Sequence, residues 1–258
     1  MRLYLDTCHI VKLLEQTSLQ YEELSKFICK SNVDLLISDF ALIELSQANN
    51  ESLYKRGIEA SKYNFLYLKT YTEILKLEIE YYLNKTQISP VTKDILNVLP
   101  IPNREILPPD FNLTVAQFLV NQQEFTRKPN HELFDAINSR DRLLEFEDAW
   151  KTGGIEKYLN GLSLEKKQTI KPQDTPSYTL YIYIWCTKHN NIRQRLKRND
   201  LFDTLHCRYI PYVDCFITDN GNAAHANSAL KKLNKEIFTT PIKTKVFKSV
   251  QDFLTSEK

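Results

Sequence analysis

The sequence predicts an α/β fold built on a parallel sheet, and three observations lead there. Short apolar runs ended by an acid or a capping pair recur at both ends of the chain: Leu3-Tyr4-Leu5 before Asp6, Leu35-Leu36-Ile37 before Ser38-Asp39, and Cys215-Phe216-Ile217-Thr218 before Asp219. Each run is followed by a stretch with helical spacing, and strands alternating with helices are the pattern of parallel sheets with crossover connections. The composition, 258 residues with 42% hydrophobic and 26% charged, is that of a globular chain able to bury a sizeable core, and it excludes disorder and fibrous repeats.

Taken in order, Arg2 to Leu5 reads as a strand, and Ile10, Val11, Leu13 and Leu14 give a helix from Thr7 onward. Leu35 to Ser38 is a second strand. Ser38-Asp39 supplies a cap, and Leu42, Ile43, Leu45 and Ala48 mark the next helix. From Tyr54 to about Leu83 the apolar spacing predicts one or two helices, and the prolines between 86 and 113 predict a long irregular connection. Val115 to Phe125, Glu132 to Trp150 and Ile155 to Leu162 read as helices, the second ended by Gly153-Gly154, so the middle of the chain is expected to be all-helical. Thr179 to Trp185 fits a strand or a buried helix equally. Leu201 to Tyr209 is helical, Cys215 to Thr218 a buried strand, Asn222 to Leu233 a helix, and Glu236 to Thr240 the expected last strand. The expected organisation is a discontinuous core of residues 1–50 and 196–258 around a helical insertion, 51–195, whose first and last helices can belong to the core.

Several function classes drop out early. Five glycines in the whole chain leave almost nothing from which to build a glycine-rich phosphate loop. No stretch approaches the roughly 20 apolar residues of a membrane span, and no apolar leader opens the chain, so no membrane partner is expected and the chain reads as cytoplasmic. Cys8, Cys29, Cys186, Cys207 and Cys215 are odd in number and scattered, which suits reduced, packed thiols. A zinc site from Cys186, His189 and the His206-Cys207 pair is the weaker alternative, because adjacent residues chelate poorly and no Cys-x-x-Cys occurs.

Four acids fall at sheet edges. Asp6 follows the first strand, Glu44 lies in the apolar helix run Phe40 to Leu45, Asp203 sits on the helix after Asn199-Asp200, and Asp219 follows the strand Cys215 to Thr218. Ligand sites of parallel sheets gather at the carboxyl ends of strands. Carboxylates brought to 4 Å repel by about 4 kcal/mol per pair at an effective dielectric of 20, so such a cluster requires a cation. Oxygen-only ligands favour Mg²⁺ or Mn²⁺ over zinc. Asp39 and Asp200 are read as helix caps before ligands, and Asp214, which opens a strand, as structural.

Leu3-Tyr4-Leu5-Asp6-Thr7, Ile37 to Leu45, Asn199 to Asp203 and Asp214 to Asp219 together resemble the PIN-domain nucleases, with their acids in the same order. The resemblance covers roughly 110 residues at the two ends of the chain. It implies a three-layer fold, a central parallel sheet flanked by helices, and a metal-dependent endonuclease, most often a ribonuclease, in which cations held by carboxylates activate a water against a phosphodiester. By position, Asp6, Glu44, Asp203 and Asp219 match the family's metal-binding catalytic acids and Thr218 its hydroxyl residue, with Thr7 and Asp200 as accessory positions. Cys8 stands where the family often carries Asn or Ser. A PIN-like module without activity, binding RNA or a protein, remains as the alternative, and a homodimer or a regulatory protein partner stays open. A phosphatase with an Asp6 nucleophile lacks its second acid, since Cys8 occupies that place.

The near-neutral total hides two unlike parts. Residues 186–258 hold 13 Lys and Arg against 7 Asp and Glu, net +6, while residues 1–185 hold 21 against 25, net −4. Arg193, Arg195, Lys197 and Arg198 precede the third acid and are the expected contacts to nucleic-acid phosphates, RNA before DNA, with Lys188 extending the group. Lys231, Lys232 and Lys235 are read mainly as a solvated face. Tyr178, Tyr181, Tyr183 and Trp185 are read as packing residues before base-stacking ones, and Phe111, Phe118, Phe125 and Phe134 as core.

Overall fold

A computed structural model describes residues 1–31, 33–45, 52, 55–56, 59–60, 62–63, 65–84, 91–92, 143–155, 166, 169–191, 196 and 198–257. Among the described residues the sheet has six strands: β1 (Arg2–Leu5), β2 (Asp34–Ile37), β3 (Phe65–Leu68), β4 (Val91–Thr92), β5 (Cys215–Ile217) and β6 (Lys245–Phe247). Their order is β4-β3-β2-β1-β5-β6, all parallel except the β3–β4 pair at the edge. The helices are α1 (Thr7–Glu15), α2 (Leu19–Lys30), α3 (Asp39–Leu45), α4 (Tyr71–Asn84), α5 (Phe146–Trp150), α6 (Pro176–Asn190), α7 (Arg198–His206), α8 (Asn220–Glu236) and α9 (Val250–Ser256). This is the expected α/β fold with a parallel central sheet flanked by helices. Among the described residues no helix is long and apolar enough to cross a membrane.

Strand side chains alternate between two faces, and here both faces are covered, which is why the strands are apolar throughout. Leu3, Leu5, Leu35, Ile37, Cys215 and Ile217 pack against α1, α2 and α9. Tyr4, Leu36, Leu66, Leu68 and Phe216 face the opposite way, onto α6, α8 and the 3₁₀ turn Cys207–Tyr212. Helices, sheet and helices therefore form the three layers.

Four expectations are corrected. The stretch 54–83 is not helical throughout, because Phe65–Leu68 is β3, in register with Leu35 to Ile37. A four-residue run buried on both faces carries no alternation to separate it from helix. A further strand, Val91–Thr92, falls in the proline-rich connection. The last strand is Lys245–Phe247, not Glu236 to Thr240: α8 runs to Glu236, and Ile237 and Phe238 fold back with both amides on the Leu233 carbonyl. Asn234 then clamps the connection by bonding both the N–H and the C=O of Ile242 at 2.9 Å. Finally, Lys151–Ile155 continues α5 as a π turn through the glycine pair expected to end it.

The open question at Thr179 to Trp185 is answered by α6. Leu180 and Ile184 pack on the sheet layer, while Tyr178, Ile182 and Cys186 pack against Trp150 and Ile155. Buried on two sides, α6 has no polar face to reveal its period. The region 51–195 thus contributes β3 and α6 to the sheet and its packing. Expected helices at Val115 to Phe125 and beyond Ile155, and Phe111, Phe118, Phe125 and Phe134, lie outside the described residues.

α4 carries Glu78, fully buried, whose carboxylate accepts bonds from the Ser177 N–H and Oγ at 2.8 Å each and from the Tyr212 hydroxyl. It caps the first turn of α6, where an anion suits the helix dipole. Burial nevertheless pushes its carboxyl up to about 7, against the pull of these bonds and of Arg208. Because the folded value exceeds the ordinary one, Glu78 favours folding at low pH and loses that contribution as pH rises through 7. Glu78→Gln keeps an acceptor oxygen for the Ser177 N–H and the Tyr212 hydroxyl, and its amide N–H can donate to Ser177 Oγ, reversing that one bond. It should remove roughly 2 to 3 kcal/mol of stability loss between pH 5 and pH 8, read by urea unfolding at the two pH values; an unchanged pH dependence would contradict this.

Candidate metal centre

β1 lies between β2 and β5, so the chain departs to opposite sides of it, and the crevice at such a switch point lies beyond the strands' carboxyl ends. Asp6 ends β1 there. Its N–H extends the β1–β5 pairing by bonding the Ile217 carbonyl at 2.9 Å, and its own carbonyl starts α1 by accepting from His9 and Ile10. The Asp6 side chain makes no cap bond to α1 and instead turns across the crevice, where Thr218 Oγ1 donates to Oδ2 at 2.6 Å. Asn222 Nδ2 holds Thr218 Oγ1 in turn, at 3.1 Å. One residue further on, Asp219 caps α8, its Oδ1 accepting from Gly221 N and Asn222 N at 2.7 and 3.1 Å. A Cβ on Gly221 would stand 3.2 Å from that oxygen, a tight approach that glycine avoids.

The opposite wall comes from α3 and α7. Ser38 Oγ caps α3 by accepting from Ala41 N, and the last turn of the helix presents Glu44. Glu44 Oε2 accepts from Thr7 Oγ1 at 2.5 Å and lies 2.8 Å from His206 Nε2. His206, fully buried at the end of α7, places Nε2 3.3 Å from Thr7 Oγ1 and 3.8 Å from Asp6 Oδ1, and Nδ1 2.5 Å from the Tyr4 hydroxyl. Asp203 stands three residues earlier on α7, the spacing that puts two side chains on one helix face.

Two groups result, each with its ligand atoms within 4.8 Å of one another: Asp6, Glu44 and His206, and Asp6, Asp203 and Asp219. Both can hold a metal ion, and they share Asp6.

No family model, curated protein or solved structure matches the chain.

The electrostatics are those of an anion-rich pocket. Burial first, then the charges of Asp6 and Asp219, push the Asp203 carboxyl up to about 7, while Lys188 and His206 pull it down. For His206 burial disfavours the charged ring, but the Glu44 bond and the charges of Asp6, Glu44 and Asp203 outweigh it, and its pKa rises. Lys188 is buried, its Nζ 3.4 Å from the Asp200 carbonyl oxygen and 3.5 Å from Asn222 Oδ1. It is therefore a fixed internal charge beside Asp203, and not part of a solvent-facing phosphate group as the sequence suggested.

The structure brings together all four expected acids, with Thr7 and Thr218 touching Glu44 and Asp6. Asp39 and Asp200 belong to neither group. Asp39 accepts from Phe40 N and from the Tyr209 hydroxyl at 2.6 Å, and the Asp200 carbonyl accepts from Thr204 Oγ1 at 2.6 Å. Asp214 binds the Arg2 amide at 2.8 Å, at the far ends of the strands. Arg193, Arg195 and Lys197 lie outside the described residues, as does the side chain of Arg198, which opens α7. Lys231, Lys232 and Lys235 are exposed on α8, with Lys232 paired to Glu236. Tyr178 is buried, and Tyr181 stacks on the Arg208 guanidinium at 3.7 Å. Cys8 is exposed on α1, and among the described residues no cysteine joins a metal group, so the Cys186-His189 alternative has no support. Sequence reasoning offered His206 only to the zinc alternative and missed its place beside Asp6 and Glu44. Its place three residues after Asp203 on an expected helix was the available signal.

Proposed function

We propose that this chain is a divalent-metal-dependent nuclease of the PIN-like kind, an endoribonuclease that hydrolyses single-stranded RNA with Mg²⁺ or Mn²⁺. The observation that supports it most is the convergence of Asp6, Glu44, Asp203 and Asp219 at the switch point, with Asp203 raised to about 7 by burial first and then by the charges of Asp6 and Asp219. That excess of negative charge is what a cation relieves, and the donor set fits one. When bound, the cation supplies activation of a water and neutralisation of charge on the scissile phosphate. Asp6 holds the centre of the cluster, with Thr218 fixing one of its oxygens; Glu44 and Asp203 close it from α3 and α7; Asp219 closes it from the start of α8. The RNA preference and the phosphate contacts at Arg193, Arg195, Lys197 and Arg198 come from the resemblance and the charge pattern. The five cysteines are free thiols, which suits a reducing cytoplasm.

The test is cleavage of single-stranded RNA, single-stranded DNA and duplex RNA with Mn²⁺. The wild type should cut single-stranded RNA, EDTA should stop it, and Asp203→Asn should lower the rate by at least about 10²-fold. Cleavage that survives EDTA or the substitution would overturn the reading.

A further inference from the structure

The two groups sharing Asp6 differ in chemistry. Asp6, Asp203 and Asp219 present oxygen alone, whereas Asp6, Glu44 and His206 add an imidazole nitrogen. We infer that His206 is a metal ligand through Nε2, and that the pocket it forms with Asp6 and Glu44 selects Mn²⁺ over Mg²⁺. The inference rests on the metal-dependent reading above and names the ion preference of that site.

The geometry carries it in three steps. Nε2 faces the carboxylates, 2.8 Å from Glu44 Oε2 and 3.8 Å from Asp6 Oδ1, so a cation between the two acids meets the nitrogen as a third donor. A ligating histidine needs its other nitrogen protonated and bonded, which fixes tautomer and ring plane. Nδ1 meets that need at the Tyr4 hydroxyl, 2.5 Å away, and Tyr4 can pass its own hydrogen to Ser38 Oγ at 2.7 Å. The ring is also fixed by its neighbours, Tyr4 at 5.8 Å and Phe40 edge-on at 6.4 Å. Finally, His206 has no exposed surface, which argues against trading protons with bulk water and for a fixed donor.

Nitrogen donors suit later first-row ions. Mg²⁺ is hard, prefers oxygen and keeps several waters, and affinity rises from Mn²⁺ to Co²⁺ at a given nitrogen-containing site. The all-oxygen group carries no such bias.

Pulsed electron paramagnetic resonance on the Mn²⁺-loaded protein reads the nitrogen directly. Wild-type protein should show ¹⁴N modulation that changes to the ¹⁵N pattern when all histidines are ¹⁵N-labelled, and His206→Gln should lose it. No other described histidine belongs to either group, and His131→Gln, which should keep the ¹⁴N modulation, excludes the one histidine outside the described residues, so the matter is decided even if His206→Gln fails to fold. By calorimetry, His206→Gln should lose at least about tenfold in Mn²⁺ and Co²⁺ affinity, with Mg²⁺ affinity changed less than about threefold. Mn²⁺ binding without nitrogen coupling overturns the His206 assignment and leaves the metal-dependent reading standing. Absence of Mn²⁺ binding to the wild type overturns both.

Discussion

Asp6→Asn is expected to lower Mn²⁺-dependent RNA cleavage by at least about 10³-fold while leaving the metal-free protein folded, with an unchanged or higher melting temperature. Asp6 is the one acid common to both metal groups, so its loss weakens each, and several kcal/mol of charge stabilisation at about 1.4 kcal/mol per decade amounts to that factor. Asparagine retains an oxygen to accept the Thr218 hydroxyl, so the packing of this buried residue survives. Removing one charge from a crowd of acids also relieves repulsion on the order of 4 kcal/mol for a pair at 4 Å. Single-turnover cleavage and calorimetric melting without metal measure the two halves. A rate within tenfold of wild type would remove Asp6 from the mechanism. A large drop in melting temperature would make its role structural.

A second large effect links metal and pH. Mn²⁺ at about 100 times its dissociation constant should add about 2.7 kcal/mol, or about 5–10 °C in melting temperature for a chain of this size. The Asp203 carboxyl, ordinarily at 3.8, stands at about 7 in the folded protein. Without metal, this group therefore favours folding at low pH, and its contribution is lost as pH rises from about 4 through 7. Metal binding needs the ionised form and so opposes that trend. At pH 5.5 the proton competes, apparent affinity falls about 30-fold, and the same Mn²⁺ concentration adds only about 0.8 kcal/mol. Melting with and without Mn²⁺ at pH 5.5 and pH 8 should show the shift growing with pH, and Asp203→Asn should lessen that growth, with the remainder carried by the His206 proton. Glu78 also titrates near 7, but it lies in α4 beneath α6 and cancels when the two melts at one pH are subtracted. A shift equal at both pH values would contradict the coupling.

Why some of this was legible in the sequence follows from what each residue depends on. Leu3 to Leu5 and Cys215 to Ile217 declare themselves because strands buried on both faces need unbroken apolar runs, and the acids after them mark the edge where the chain leaves the sheet. Asp6 and Asp219 are read from that local grammar alone. Phe65–Leu68 escapes because it is as apolar as the helices around it, and only pairing with β2 makes it a strand. His206 escapes for a different reason. Its meaning lies in Tyr4 and Glu44, which are 202 and 162 residues away in the chain. Lys188 reads as one more cation in a basic stretch until α6 is seen to turn it inward.

The pairing of β1 with β5 also orders events in time. Asp6 and Thr218 are 212 residues apart, so the crevice between them does not exist until the β5 segment has been made and has left the ribosome. A ribosome-bound chain can form β1, β2 and β3 early, yet it lacks Asp203, His206 and Asp219 until that segment has left the exit tunnel. Closure of so long a loop is slow, as it is in other folds dominated by contacts distant in sequence. A chain with the proposed activity would thus lack a working centre until β5 inserts next to β1.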